Sequence, residues 1–395
     1  MRTIKLTALA FGLAAANVLA QNATENDDPK LKVSGMAEFD AYANASTGDN
    51  QKIYHSYKSK VDVDFQAQFN ENWSAQVGIE GYNDDEAPSI KYRDAFVQYK
   101  KGNFAVKLGD LAFSEGKFTY YNFNDSTVNA AGMREKQVRG IELDYYGLQF
   151  GIGFGRGDWN DIPYYSTDTY DDDEEWDDYY YPKSYDIHLA YQFDIAGQTF
   201  RPFIHYKSWQ KGNANELHTG LNADLAFGPL GVHAVYGLHA DRLKKSFPNA
   251  THAFLAEPTL DLGRVIVKAG AFFAIIDDNS EHATIHYGNE FSYEIPEYKF
   301  AYGEVDFKAN DAFTAGLVGE WHTNTIDNTK ELGSFEIGPR FYFNPFKNLE
   351  VTGFAKAIIP VGDDWKKEEH YIWISLGDYD DDVLFSLGLE TVFRF

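Results

Sequence analysis

Apolar and polar residues alternate with a period of two along most of the chain. In residues 57–69, Val61, Val63 and Phe65 alternate with Lys60, Asp62 and Asp64. Residues 383–395 repeat the pattern with an apolar set that includes Phe385, Leu387, Leu389 and Phe393. A two-residue period indicates β-strands with one apolar and one polar face, because an amphipathic helix requires a 3.6-residue period.

The alternation recurs about 18 times between Leu31 and Phe395, and a different division of one or two strands would give 16. Short turns such as 70–72 and 101–103 alternate with long polar loops such as 112–135 and 158–182. This regularity is typical of an up-and-down barrel in the outer membrane, whereas a soluble sandwich mixes loop lengths at both ends. We therefore predict an all-β fold, a transmembrane antiparallel barrel with short periplasmic turns and long extracellular loops.

A barrel of 16–18 strands encloses an aqueous channel rather than a packed interior. The hydrophilic inward set agrees with such a channel. The net charge of −25 excludes a nucleic-acid-binding surface and favours cations in any water-filled passage. The chain has no cysteine, so inter-strand hydrogen bonds rather than disulfides must hold it. Its 27 Tyr and 31 Phe suit the aromatic belts at membrane interfaces.

The amino terminus has the pattern of a secretory signal. Arg2 and Lys5 precede an apolar run over 6–19, and Ala20 lies before Gln21 as a cleavage site. We predict a signal peptide over 1–20, a short polar leader over 21–30 and a single barrel domain over 31–395. Beyond this signal there is no apolar run of about 18 residues, so no transmembrane helix is expected.

Three stretches resemble the bacterial outer-membrane porin family. Residues 93–110 form a strand, a short Gly turn and a second strand that closes on Leu108-Gly109 before a long loop. Residues 138–153 and 200–206 continue the likeness. The resemblance implies a third loop, 112–135, that folds into the barrel and narrows it. It also implies a homotrimer, a location in the outer membrane of a Gram-negative bacterium, and recognition of Phe395 by the barrel-assembly machinery.

A constriction would place the acids of that loop opposite a basic wall. The candidate acids are Glu115, Asp125 and Glu135, and the candidate basic residues are Lys58, Lys60, Lys107 and Arg139. Arg139 shares the parity of Ile141, so it points inward only if its strand starts after it. Inward glycines at Gly151, Gly153 and Gly155 would leave room for the loop backbone. The alternative is that these groups are merely solvated lumen charges.

Two further groups of residues have side chains that can bind ions, but neither has the spacing of a known metal site. Carboxylates in the longest loop would attract cations, although their spacing does not match a calcium-binding loop; they are Asp171, Asp172, Asp173, Glu174, Glu175, Asp177 and Asp178. Inward histidines lie on different strands without ligand-type spacing; they are His188, His205, His218, His233 and His239. We therefore expect no metal and no cofactor.

The sequence predicts a porin for passive diffusion of small hydrophilic solutes, with a preference for cations. One alternative is a substrate-selective channel or surface receptor for sugars, in which inward aromatics stack the solute; the candidates are Phe203, Trp209, Phe272 and Phe354. Another is a soluble exported β-rich binding protein. No catalytic motif is present, so we do not expect an enzyme, although an outer-membrane lipase would escape a motif search.

Overall fold

The computed structural model describes residues 30–46, 53–84, 89–120, 133–155, 184–209, 215–241, 249–276, 284–287, 291–294, 297–326, 330–361 and 383–395. In these ranges every long regular element is a β-strand. The strands are β1 Lys30–Ser46, β2 Ile53–Gln68, β3 Trp73–Asp84, β4 Ser89–Lys101, β5 Phe104–Glu115, β6 Met133–Tyr145, β7 Leu148–Gly155, β8 Ser184–Tyr191, β9 Phe193–Ile195, β10 Gln198–Trp209, β11 Asn215–Phe227, β12 Leu230–Asp241, β13 Asn249–Asp261, β14 Val265–Ile276, β15 Thr284–Tyr287, β16 Phe291–Glu294, β17 Glu297–Lys308, β18 Phe313–Ile326, β19 Lys330–Phe346, β20 Leu349–Val361 and β21 Leu384–Arg394.

The strands form a closed antiparallel barrel in which each strand pairs with its neighbours in chain order. Strands β8 and β9 are two parts of one interrupted strand, since both pair with β10. Strand β14 pairs directly with β17, and β15 and β16 form a separate hairpin. The ring therefore contains 18 strands, which confirms the larger of the two predicted counts.

The last strand closes the ring against the first. The ladder runs from Met36 opposite Arg394 to Ser46 opposite Leu384. Gly35 and Phe395 then exchange two backbone hydrogen bonds of 2.9 and 3.0 Å. This pairing of β1 with β21 is the seam of the barrel. Its register starts at Gly35, so the first residues of β1 pair only with β2.

The two faces of the wall are reversed relative to a water-soluble protein. In β8, Tyr185, Ile187 and Leu189 are exposed, whereas Asp186 and His188 are buried. The exposed apolar face is stable where lipid rather than water surrounds the barrel, and the polar face lines the lumen. Among the described residues there is no helix long and apolar enough to cross a membrane.

Three prolines lie where one of their two hydrogen-bonded ladders is interrupted. Pro202 lies at the break between the β8 and β9 ladders of β10. The β13–β14 pairing skips Pro258, and the β19–β20 pairing skips Pro339. Because proline cannot donate a backbone hydrogen bond, these breaks let the strands accommodate it without ending the barrel.

Candidate functional site

The chain that follows β5 enters the barrel. We call residues 116–120, between Glu115 and the end of the described range, the inner segment. Gly116 has φ +74°, a conformation that glycine adopts without a steric penalty, and it turns the chain at the end of β5. The inner segment then contacts lumen-facing side chains of successive strands, as described below.

Phe113, which precedes the inner segment in β5, packs against an inward-facing glycine of β7. A Cβ atom at Gly151 would overlap the ring of Phe113, so only glycine leaves room for that ring. Phe113 also stacks on His188, with ring centroids 4.4 Å apart. A small buried apolar cluster forms around it; its members are Leu111, Phe113, Val138, Ala190 and Phe203. This cluster fixes the end of β5 against β7, β8 and β10.

Glu115 is held by side chains from two strands beyond β8. Arg201 donates from Nε to both carboxylate oxygens at 3.0 Å and from Nη2 to Oε1 at 2.7 Å. Asn222 donates to Oε2 at 2.8 Å. Glu115 is only 5 % exposed, so these charge-assisted bonds compensate its lost hydration. Gln149 accepts a further bond from Arg201 at 2.6 Å.

Glu257 on β13 binds the backbone of the inner segment. Its carboxylate accepts hydrogen bonds from the backbone N–H groups of Thr119 at 2.6 Å and Tyr120 at 3.2 Å. The hydroxyl of Tyr302 donates to the same carboxylate at 2.8 Å. Glu257 is fully buried, so the three donors replace the water that it would otherwise bind. The Glu257 side chain thus binds two consecutive backbone N–H groups at the end of the inner segment.

Aromatic and carbonyl contacts complete the attachment. Phe118 packs edge-on against Phe272 and Phe300, with ring centroids 6.3 and 5.9 Å apart. The carbonyl of Lys117 accepts a hydrogen bond from His233 Nε2 at 3.0 Å. From Phe113 to Tyr120 the chain therefore contacts a band of the wall that extends from β7 to β17. We call this band the covered wall.

A second part of the lumen carries ion pairs between neighbouring strands. We call β18–β20 together with β2–β4 the charged wall. Arg340 of β19 lies 3.8 Å from Glu320 of β18, and Lys356 of β20 pairs with Glu336 of β19. On the other side of the seam between β21 and β1, Lys60 of β2 lies 3.2 Å from Glu80 of β3. Within the described residues, these carboxylates are satisfied by cations rather than by the inner segment.

Arg93 enters the lumen through an irregularity in β4. The β3–β4 register shifts between Gly78 and Ile79, so that Arg93 has no direct partner across the ladder. Its guanidinium pairs with Asp64 and lies 2.8 Å from Asp94. Apolar and polar residues do not alternate regularly in residues 91–100. This bulge explains the irregularity, since it turns one residue of β4 onto the inward face.

Comparisons with known proteins extend the description of the fold. No protein-family model and no curated protein matches the chain. OccK2 (OpdF) of Pseudomonas aeruginosa, in complex with glucuronate, is similar with 11 % identity and TM-score 0.58 over 93 % of this chain and 96 % of that chain. OccK9 (OpdG) of the same organism has 11 % identity and TM-score 0.57 over 93 % and 99 %. A loop L8 deletion mutant of OmpT, an outer membrane protein of Vibrio cholerae, has 11 % identity and TM-score 0.52 over 93 % and 100 %.

The chain has a porin-like fold. Because the sequence identity is only 11 %, these neighbours show the fold alone. The solute and the site residues must be inferred from this chain's own side chains. The antiparallel barrel predicted from the alternation and the porin-like fold implied by the resemblance are both confirmed.

The structure places several of the predicted constriction residues on the lumen side of this porin-like barrel. Glu115 meets Arg201 rather than one of the predicted lysines. Lys60 and Lys107 point inward, but each pairs with a wall carboxylate, and Lys107 lies 3.0 Å from Glu142. Lys58 is an exposed residue of the same inward set. Asp125, the side chain of Glu135 and the acidic stretch 171–178 lie outside the described residues.

Arg139 belongs to the other face. It shares the parity of Ile141, an exposed apolar residue, and its Nε lies 2.7 Å from Asp110. Asp110 in turn accepts a hydrogen bond from Tyr92 and another from the backbone of Ala95 at 3.0 Å. The condition stated for an inward Arg139, a strand that starts after it, is not met, because β6 starts at Met133.

Three residues that hold Glu115, Glu257 or the inner segment were not predicted from the sequence. Arg201, Glu257 and Tyr302 lie on the inward face of strands whose outward face is apolar. That parity is a signal, but many inward polar residues share it. The inward aromatics Phe203 and Phe272, candidates for stacking a sugar in the alternative function, are buried. Phe354 lies apart from them, near Tyr42.

Proposed function

We propose that this protein is an outer-membrane porin that forms a water-filled channel for passive diffusion of small hydrophilic solutes. The observation that carries the proposal is the inner segment, which Glu115 and Glu257 hold inside a closed barrel with an apolar outer surface. A chain segment held in this way reduces the cross-section of the lumen. Passage then depends on the remaining width and on the charges around it, with no chemical step.

A preference for cations follows from the surplus of lumen carboxylates. Among the described residues, nine buried carboxylates have inward parity; they are Asp40, Glu115, Glu142, Asp186, Glu257, Glu304, Asp306, Glu320 and Glu336. Among the same described residues, only two basic side chains, Lys207 and Arg340, are buried on the inward face. A low-dielectric wall of one predominant sign raises the local concentration of counter-ions. The half-buried lysines Lys60, Lys107 and Lys268 each already contact a carboxylate.

Planar-bilayer recording of the purified protein tests both parts of the proposal. We expect stable conductance steps, and under a salt gradient we expect a reversal potential of the sign that cation permeation gives. Absence of discrete steps from correctly folded protein would overturn the channel. An anion-favouring potential would overturn the charge argument and leave the channel intact.

A substrate-selective channel is the second candidate. Its support is the likeness to OccK2, which was solved in complex with glucuronate. In this chain the surplus of carboxylates disfavours an acidic sugar and favours neutral or cationic solutes. Vesicle swelling distinguishes the candidates, because a selective channel gives rates that saturate with one solute, whereas simple diffusion gives rates that fall smoothly with solute size.

The proposed location is the outer membrane of a Gram-negative bacterium, with lipid around the barrel, a cleaved signal peptide over 1–20 and assembly through Phe395. Fractionation of cells and the mass of the mature chain test these points. Recovery in the soluble periplasm without detergent would support the soluble binding protein instead.

We further propose a homotrimer. The ion pair of Asp110 with Arg139 lies on the outward face, and Arg139 is exposed beside the apolar residues Leu108 and Ile141. Charged groups are costly against lipid and are tolerated in a protein contact. The small outward residues Val33, Gly35 and Ala37 of β1 are a second candidate contact surface, which lipid would fit equally well. Crosslinking of the barrel in native membranes, with and without Arg139→Leu, tests the assembly.

A further inference from the structure

Four histidines on neighbouring strands form a continuous row on the covered wall. The ladders place His188 of β8 opposite His205 of β10, His205 opposite His218 of β11, and His218 opposite His239 of β12. Consecutive ring centroids are 5.6, 6.5 and 4.1 Å apart. The porin function proposed above does not use this row.

One end of the row has the composition of a metal site. The ligand atoms of Glu216, His218 and His239 all lie within 4.8 Å of one another. His218 Nε2 is 3.5 Å from Glu216 Oε2, and the His218 and His239 rings are stacked with an interplanar angle of 11°.

We propose that Glu216, His218 and His239 bind a divalent transition-metal ion of the Zn²⁺ class in the lumen wall. Two imidazole nitrogens and one carboxylate oxygen are a ligand set that such ions prefer, and a fourth position would remain for water from the channel. Four-coordinate Zn²⁺ holds its ligand atoms roughly 3.3 Å apart, given bonds of about 2.0 Å. Side-chain rotations that bring the three donors closer together would therefore accompany metal binding.

The electrostatic surroundings favour a bound cation here over one at a second similar cluster. Lys207 lies in register with Asp186 on one side and Glu216 on the other, so two carboxylates face one lysine. Glu320, His322 and Glu336 also lie within 4.8 Å of one another. There, however, Arg340 lies 3.8 Å from Glu320 and Lys356 pairs with Glu336, so each of the two carboxylates has a cation of its own.

Zn²⁺ titration of the full barrel in detergent tests the proposal. The protein is purified without a polyhistidine tag, treated with EDTA and exchanged into metal-free buffer, and binding is measured by calorimetry. We expect one equivalent to bind to the wild type. We expect His218→Gln and His239→Gln each to weaken that binding at least tenfold, and Glu216→Gln to weaken it less. Co²⁺ should give the intense visible absorption of a four-coordinate site in the wild type and not in His218→Gln or His239→Gln.

Two matched controls separate this site from other histidines. His252→Gln changes an exposed histidine, and His322→Gln changes the second cluster. Both variants should bind Zn²⁺ as the wild type does. The proposal is overturned if the folded wild type binds no Zn²⁺, if His218→Gln and His239→Gln bind normally, or if only His322→Gln abolishes binding. None of these outcomes depends on conductance, so failure of the metal site is distinct from failure of the porin function.

Discussion

The covered wall and the charged wall satisfy their buried carboxylates in different ways. On the covered wall, Glu257 accepts backbone N–H groups of Thr119 and Tyr120. On the charged wall, Glu336 pairs with the ammonium group of Lys356 on the neighbouring strand. Both carboxylates are buried and both lie on the inward face of an amphipathic strand.

The two walls therefore use buried carboxylates for different purposes. A carboxylate that binds backbone N–H groups fixes the path of a chain, because those donors belong to the inner segment. A carboxylate that pairs with a lysine of the wall fixes no chain and instead sets the local field. In the proposed channel, the covered wall would set the width, and the charged wall would contribute mainly to the ion preference.

Removal of Arg201 should have the largest effect on stability. Arg201→Ala leaves buried Glu115 without its cation, and breaking such a pair lowers the free energy of unfolding by roughly 3–5 kcal/mol. Urea unfolding in lipid vesicles measures the change. The double variant Arg201→Ala with Glu115→Gln should recover part of the loss because no buried charge is left unpaired. A double variant less stable than Arg201→Ala would contradict the pairing.

Neutralisation of Glu257 should release the inner segment. Glu257→Gln weakens charge-assisted hydrogen bonds that contribute about 1.5–3 kcal/mol each, so the segment should leave the wall more often. We expect a larger and noisier single-channel conductance. The matched control is Glu336→Gln on the charged wall, which should change ion preference more than conductance. Equal conductance in wild type and Glu257→Gln would remove the distinction between the two walls.

Filling the space above Gly151 should disturb only the covered wall. Gly151→Ala introduces a Cβ atom into the Phe113 ring and should destabilise the barrel by about 1–3 kcal/mol. Gly303→Ala is the matched control, because nothing lies within 4 Å of a Cβ atom there. Unfolding in vesicles compares the two variants. If both were neutral, the close packing of Phe113 on β7 would be wrong.

Removal of one exposed lumen lysine should have the smallest effect. Lys58→Gln on the charged wall removes a positive charge that water and salt already screen. We expect a small shift of the reversal potential toward cations at low salt that disappears at high salt, with unchanged stability. A shift toward anions would show that Lys58 acts through another group.

Much of the barrel could be predicted, and less of its lumen. The alternation in residues 57–69 and 383–395 predicted strands β2 and β21 with the correct outward sets. The same reasoning placed Lys60 and Lys107 inward but not their partners, because parity tells which face a residue occupies and not what lies opposite. Arg93 could not be placed, since the bulge that turns it inward depends on pairing between β3 and β4.

The sequence by itself determined the strands, their faces and the membrane-spanning class of the fold, because side-chain alternation is a property of neighbouring residues. The tertiary structure alone decided which inward residues meet. His205, His218 and His239 are separated by 13 and 21 residues in the chain, and only the register of two ladders aligns them in one row. Glu257 meets Thr119 across 138 residues, because contacts of this kind depend on the path of a segment through the closed barrel.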